Sequence, residues 1–329
     1  MKVLLTGASG RIGCHVTAAL QNAGHVVRGF DLVEPSRFPC PDEVVVGSLL
    51  DQDAVARAVN GVDAVLHLAA LMSWHPDDEN ALFEINVQGT FNLLRAASRA
   101  GIARFVFASS GEVYPELNYA YLPIDEAHPT RPTSVYGLTK LLGEEMVQHF
   151  ARRTGLKYCI LRFSHTQAAE ELFSPDSYFS GPRFYVNAKL RQLRRLPASP
   201  AVEKSIAALE AVATADEQHY VGCDLQGAPY RMAMCDARDM ASGVLLGLTH
   251  PAAEDETFNI GPAESFNFDE VLPYLAQFTG LPVVRVNLHT AAYRYDTSLA
   301  KAQTKIGYQP QFTIRQMIED GSQVAHAHR

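Results

Sequence analysis

The stretch Val3-Leu-Leu-Thr-Gly-Ala-Ser-Gly-Arg-Ile-Gly13 decides how the chain is read. Val3 to Leu5 form a short strand candidate, and the amphipathic segment from Ile12 to Ala23 is a helix candidate. Between them stand Gly7, Gly10 and Gly13. Glycines so spaced permit a tight turn and let the backbone N–H groups around Arg11 and Ile12 approach a pyrophosphate. They also let the helix pack close to the strand, with its positive end toward the anion. A preceding strand and a following helix are the context in which Gly-x-x-Gly-x-x-Gly reads as a dinucleotide fingerprint. A glycine-rich turn holding no ligand is the plainer alternative.

Working outward, the second strand candidate, Val26 to Phe30, is followed by Asp31, 18 residues beyond Gly13. A carboxylate there accepts hydrogen bonds from the adenosine ribose diol and repels a 2′-phosphate, which favours NAD over NADP. Arg28 and Arg11 do not replace that carboxylate, and Arg37 at most softens the preference. Further strand candidates are Val44 to Val46, Ala64 to Leu68, Phe105 to Ala108 and Tyr158 to Phe163, all read as strands buried on both faces. Helix candidates alternate with them at Ala54 to Val59, Asn80 to Ala100 and Ser134 to Thr154. This alternation predicts an α/β fold with a Rossmann-type, doubly wound parallel sheet.

After Phe163 the alternation fades. Helix candidates at Phe184 to Leu196, Val202 to Ala213, Phe268 to Thr279 and Ile314 to Val324 read as a smaller domain or cap. Residues 164–231 and 262–329 are assigned to it. Residues 1–163 form the NAD-binding domain, rejoined near 232–261 by a helix at Asp239 to Leu248 and a strand at Thr257 to Ile260.

The 329 residues carry 28 Lys and Arg against 36 Asp and Glu, a net charge of −8, so a nucleic-acid partner is not expected. Five cysteines without a Cys-x-x-Cys pair or zinc spacing argue against a disulfide framework and a metal site. No apolar run approaches the ~20 residues that span a bilayer. The N-terminal apolar stretch is too short for a signal peptide, so a cytoplasmic protein with no membrane partner is expected.

Five motifs follow in order: Thr6-Gly-Ala-Ser-Gly-Arg-Ile-Gly13, His67-Leu-Ala-Ala70, Asn86-Val-Gln-Gly-Thr90, Ser109-Ser-Gly-Glu-Val-Tyr114 and Tyr136-Gly-Leu-Thr-Lys140. Together they resemble the extended short-chain dehydrogenase/reductases, and within them the NAD-dependent epimerase/dehydratase group. The resemblance implies a Rossmann domain with a smaller, discontinuous substrate domain, hydride chemistry with NAD, and a homodimer. It places Leu68, Ala69 and Ala70 against the cofactor, has Ser110 hydrogen-bond the reacting oxygen, and gives Asn86 a structural role.

The residues agree with that chemistry. Tyr136 and Lys140, four apart on a predicted helix, project from one face. A phenol of pKa near ~10 is a poor base at neutral pH, and an adjacent ammonium favours its phenolate. Tyr136 then takes a proton from a substrate hydroxyl. For this pair alone, the alternative is a surface Tyr and Lys on an amphipathic helix.

Departures bear mostly on the substrate. Where the family has an Asp before the residue matching Leu49, to bond adenine, this chain has Ser48, which retains that contact in weaker form. Gly111-Glu112 lacks the Asp of the dehydratase branch, so elimination of water is not expected. Glu112 matches a glutamate that acts near the sugar in other branches, with a solvated loop carboxylate as the alternative. His165-Thr-Gln167 stands where nucleotide-sugar enzymes have Asn and then Tyr-Gly-Pro. His165 is a candidate substrate ligand or a loop histidine bonded to backbone. Trp74, the single tryptophan, is a candidate wall for a sugar ring or a packing anchor. The expected function is an NAD-dependent oxidoreductase acting at a secondary hydroxyl of a carbohydrate or sugar acid. The alternatives are a nucleotide-sugar epimerase with tightly bound NAD and, more remotely, a non-enzymatic NAD sensor.

Overall fold

The computed structural model describes residues 1–115, 118–290 and 296–327. The chain divides into two compact units: Met1–Ser164 with Ala237–Gly261 and Thr297–Pro310, and His165–Asp236 with Pro262–Asp296 and Gln311–Arg329. The sequence reading assigned residues 297–310 to the smaller domain. They group instead with the first unit, where the Lys301 ammonium donates to Thr257 O (2.8 Å) and the buried Tyr308 hydroxyl to Gly261 O (2.8 Å).

In the first unit the chain runs β1 (Lys2–Thr6), α1 (Arg11–Asn22), β2 (Val26–Asp31), β3 (Glu43–Val46), α2 (Gln52–Val59), β4 (Ala64–His67), α3 (Gly89–Arg99), β5 (Arg104–Ser110), α4 (Val135–Thr154) and β6 (Lys157–Phe163). It returns with α5 (Ala237–Thr249) and β7 (Glu256–Ile260). These seven strands form one sheet in the order β7-β6-β5-β4-β1-β2-β3, every pair parallel. The order reverses between β1 and β4, so the loops after those two strands open on the switch-point crevice where such sheets bind ligands. Val3, Leu4, Leu5, Val65 and Leu66 are fully buried there, as strands covered on both faces require.

Two expectations change. The strand at Val44 to Val46 is not covered on both faces: it is the sheet edge, with Val44 41% and Val46 47% exposed. The helix predicted from Asn80 to Ala100 contains a π-helical turn at Phe83–Gln88. Insertions of this kind concentrate at functional positions, and this one carries Asn86, whose side chain is engaged on both sides.

Helix α4 starts where Ser134 Oγ accepts from Gly137 N (2.9 Å) and stops at Gly155, whose φ of +76° is the left-handed conformation glycine tolerates. Glu144 ties it to the sheet: Arg162 grips both carboxylate oxygens (3.0 and 2.8 Å) and Ser109 Oγ donates to one of them (2.5 Å). This buried, bidentate pair fixes the register of α4 over β5 and β6.

Among its described residues, the second unit packs the helices Ser180–Phe184, Val186–Leu193, Pro200–Glu210, Phe268–Thr279 and Ile314–Ala327 with three two-stranded sheets. Phe184, Tyr185, Tyr220, Phe268, Leu272 and Met317 lie in its core. The helix predicted at Phe184 to Leu196 is interrupted at Tyr185, which is extended (φ −123°, ψ 130°). Its hydroxyl donates to Leu172 O (2.9 Å).

Candidate active site

The loop after β1 has the shape a phosphate requires. Gly7 takes φ +76°, and a Cβ there would lie 2.8 Å from Ala69 N. A Cβ on Gly13 would sit 2.2 Å from Gly7 O, so both positions exclude a side chain. Helix α1 starts at Arg11 with no side-chain cap on its N-cap, Gly10. Its first-turn backbone donors, including those of Ile12 and Gly13, therefore have no side-chain competitor from that position.

Asp31 closes the neighbouring strand, its carboxylate accepting from Ser9 N (2.9 Å) and Leu32 N (2.7 Å). The ribose-binding candidate is thus locked onto the phosphate loop itself. Ser48 Oγ accepts from Leu50 N (3.1 Å), and the buried Leu49 side chain occupies the space a Cβ on Gly89 would need, 2.8 Å away. These residues fit NAD by chemistry and shape.

Behind Leu68, Ala69 and Ala70 lies a one-directional hydrogen-bond chain. Thr90 Oγ1 donates to Asn86 O (2.5 Å), so it accepts from His67 Nε2–H (2.9 Å). Burial, with the Lys140 charge adding to it, pushes His67 down to about 3, so the ring is neutral. Nδ1 then accepts from Thr6 Oγ1 (2.8 Å), which in turn accepts from Ala69 N (3.1 Å). Asn86 continues the frame: Oδ1 accepts from Leu71 N (2.8 Å), and Nδ2 donates to Leu71 O (2.9 Å) and Thr139 Oγ1 (3.0 Å). Thr139 Oγ1 donates to Tyr136 O (2.7 Å).

Tyr136 and Lys140 are both buried on α4, the ammonium 5.7 Å from the Tyr136 ring centroid. Lys140 Nζ donates to Ala108 O (2.9 Å) on β5, two residues before Ser110, so one strand end holds the ammonium and supplies the serine. Burial lowers the Lys140 ammonium to about 8, partly opposed by the Glu144 carboxylate. Ser110 Oγ accepts from Glu112 N (3.1 Å). Glu112 takes hydrogen bonds from Trp74 Nε1 (3.0 and 3.2 Å) and Ser134 Oγ (2.6 Å), and the Trp74 ring meets the Tyr136 ring at 6.3 Å and 62°.

The first unit therefore carries the phosphate loop, Asp31, Ser48, Leu49, Leu68 to Ala70, Trp74, Ser110, Glu112, Tyr136 and Lys140. His165 belongs to the second unit, edge-on to Phe179 at 4.7 Å. Sequence reasoning missed Thr6, Thr139 and Ser134 as partners of the site; only the Ser134 cap position left a signal. Among the described residues there is no group of three or more metal-ligating side chains, and no helix is long and apolar enough to cross a membrane.

Fold and site define a dinucleotide-binding α/β protein. The profile of the NAD dependent epimerase/dehydratase family matches residues 3–193, and the chain belongs to that family of NAD-dependent enzymes. It is 37% identical over 164 residues to the uronate dehydrogenase of Pseudomonas syringae pv. tomato, covering 49% of this chain and 58% of that one. It is 36% identical over 170 residues to the putative UDP-glucose 4-epimerase of Methanocaldococcus jannaschii, covering 50% and 55%. The chain thus spans little more than half the length of these curated relatives. A crystal structure of a short-chain dehydrogenase/reductase superfamily protein from Agrobacterium tumefaciens, with bound NAD, is 43% identical at a TM-score of 0.91. That match covers 100% of this chain and 98% of the other.

Proposed function

We propose that the chain is an NAD-dependent oxidoreductase acting at a secondary hydroxyl of a carbohydrate or sugar acid. The observation that carries this reading is the buried Lys140 ammonium, fixed on Ala108 O beside the Tyr136 ring. Gly7, Gly10, Arg11, Ile12 and Gly13 hold the pyrophosphate of NAD, Asp31 its ribose diol, and Ser48 with Leu49 its adenine side. Leu68 to Ala70 line its path. Bound there, NAD supplies the acceptor for the hydride that leaves the substrate carbon.

The chain's own residues handle the proton. Lys140 stabilises the Tyr136 phenolate, which accepts the carbinol proton and returns it to solvent. Ser110 holds the reacting oxygen by a hydrogen bond. The first unit is the NAD-binding domain and the second the substrate domain, in which His165 binds the polar end of the substrate. The protein works as a cytoplasmic homodimer.

Likeness to uronate dehydrogenase and the absence of Tyr-Gly-Pro after His165 support a free sugar acid as substrate. A UDP-glucose 4-epimerase of Halalkalibacterium halodurans, 26% identical across 97% of this chain and 94% of its own length, supports the epimerase alternative. A screen of NAD reduction over free sugars, uronic acids and UDP-sugars tests both. Net NADH from a free sugar acid is expected. Interconversion of UDP-sugars without net NADH would overturn the dehydrogenase reading.

A further inference from the structure

Trp74 is the single tryptophan of the chain, and 39% of it is exposed beside a buried candidate catalytic tyrosine. Large aromatic side chains left open to water in a crevice loop present a flat apolar face at little entropic cost. Here the indole is held in place. Its N–H is directed at both oxygens of Glu112, and one of those oxygens also accepts from Ser134 Oγ, the N-cap of α4.

Glu112 is itself fixed by its backbone. Its N–H is held by Ser110 Oγ, and a Cβ on Gly137 would lie 2.2 Å from Glu112 O, so the first turn of α4 rests directly on it. One residue thereby links the candidate serine, the helix carrying Tyr136 and the tryptophan. Its carboxylate meets donors on the tryptophan and on the cap, an arrangement suited to anchoring a neighbour.

We propose that Glu112 is a positioning residue that clamps Trp74 as an aromatic wall beside Tyr136, where the indole face takes the C–H face of a carbohydrate ring. The indole N–H is already committed to Glu112, so recognition by Trp74 runs through the ring face. The wall selects for a ring rather than for a hydroxyl pattern. This rests on the carbohydrate reading above.

The test uses the full chain with NAD bound and four variants: Glu112→Ala, Glu112→Gln, Trp74→Phe and the double variant Trp74→Phe/Glu112→Ala. Acrylamide quenching of the single tryptophan needs no substrate. Glu112→Ala should at least double the quenching constant, and Glu112→Gln, whose amide oxygen still accepts the indole N–H, should stay near wild type. Unchanged quenching in Glu112→Ala would overturn the clamp.

With galacturonic acid, glucuronic acid and UDP-glucose as probes, Glu112→Ala and Trp74→Phe should each raise KM about tenfold with kcat changed less than about threefold. The double variant should be no worse than either single change, because both remove the same contact. Rescue by Glu112→Gln supports positioning. Loss of kcat in Glu112→Gln equal to that in Glu112→Ala, or additive effects in the double variant, would overturn the proposal in favour of proton transfer by Glu112. Absence of turnover by the wild-type chain with any of the three probes would defeat the carbohydrate reading and the wall with it. The quenching result would still decide whether Glu112 fixes the indole.

Discussion

Each unit of the molecule buries a neutral histidine that bridges two partners, and the two are opposite tautomers. In the first unit His67 donates from Nε2 to Thr90 and accepts at Nδ1 from Thr6. In the second, His219 Nδ1 lies 3.1 Å from Phe184 O, which only accepts, so Nδ1 carries the proton and Nε2 accepts from Thr279 Oγ1 (2.8 Å). Burial holds His67 at about 3 and His219 at about 4, the latter offset slightly by its bond to Phe184. Burial and bond count match; what differs is where the bonds lead. From His67 they run through Thr6 to Ala69 and through Thr90 to Asn86, Leu71 and Thr139. From His219 they end at once, on one side at Phe184 O and on the other at Thr279 Oγ1, which accepts from Leu281 N (3.3 Å). The first network orients a site, and the second closes a core.

The largest effect that sharpens this contrast is at the end of the first network. Tyr136→Phe should keep the ring packed and NAD bound while turnover falls on the order of a thousandfold, because the proton acceptor is gone. NAD titration and steady-state rates measure the two parts separately, and near-normal turnover would remove Tyr136 from the chemistry. Next in size is Asp31→Ala. Loss of the carboxylate anchored on Ser9 and Leu32 should weaken NAD about ten- to a hundredfold and narrow its preference over NADP. Unchanged discrimination would sink the ribose assignment.

The histidines themselves come third. His67→Gln and His219→Gln should each cost about 1–3 kcal/mol of unfolding free energy in urea titrations, since either leaves a buried partner unpaired. Only His67→Gln should also raise KM for NAD, because only its partners frame Ala69 and Asn86. An equal rise in His219→Gln would erase the functional distinction between the two networks.

What the sequence revealed follows the same division. The geometry of the Gly7 to Gly13 loop, Asp31 and the Tyr136/Lys140 pair was legible because each is a residue type at a fixed local spacing: glycine for close approach, a carboxylate at a strand end, two groups one helical turn apart. The Arg162–Glu144 pair and the Thr6–His67–Thr90 chain were not legible, because their members are distant in sequence and meet only when the strands take their order. The edge position of Val44 and Val46 depends on that same order. In the second unit, the Tyr185 break has no proline or glycine within the predicted stretch Phe184 to Leu196 to announce it, and strands such as Arg231–Met232 are too short to show a period. The ion pairs of that unit, Arg191 with Asp176 (3.1 Å) and Arg194 with Glu210 (2.7 Å), likewise join residues about 15 apart and lie at the surface.

The smallest effect is a slope. Both histidines have folded-state values below the ordinary 6.5, at about 3 and about 4. Between those values and 6.5 the unfolded chain binds a proton at each ring and the folded chain does not, so stability must fall as pH falls through 6.5. Each ring contributes up to ~1.4 kcal/mol per pH unit in that window and nothing above it. Urea midpoints between pH 7 and 5 should therefore decline in the wild type and decline less in either glutamine variant. The flattening should stop near pH 4 for His219 and continue toward pH 3 for His67. A wild-type slope unchanged by both substitutions would mean that these rings do not stay neutral as the protein folds, and the tautomers that separate the two networks would lose their basis.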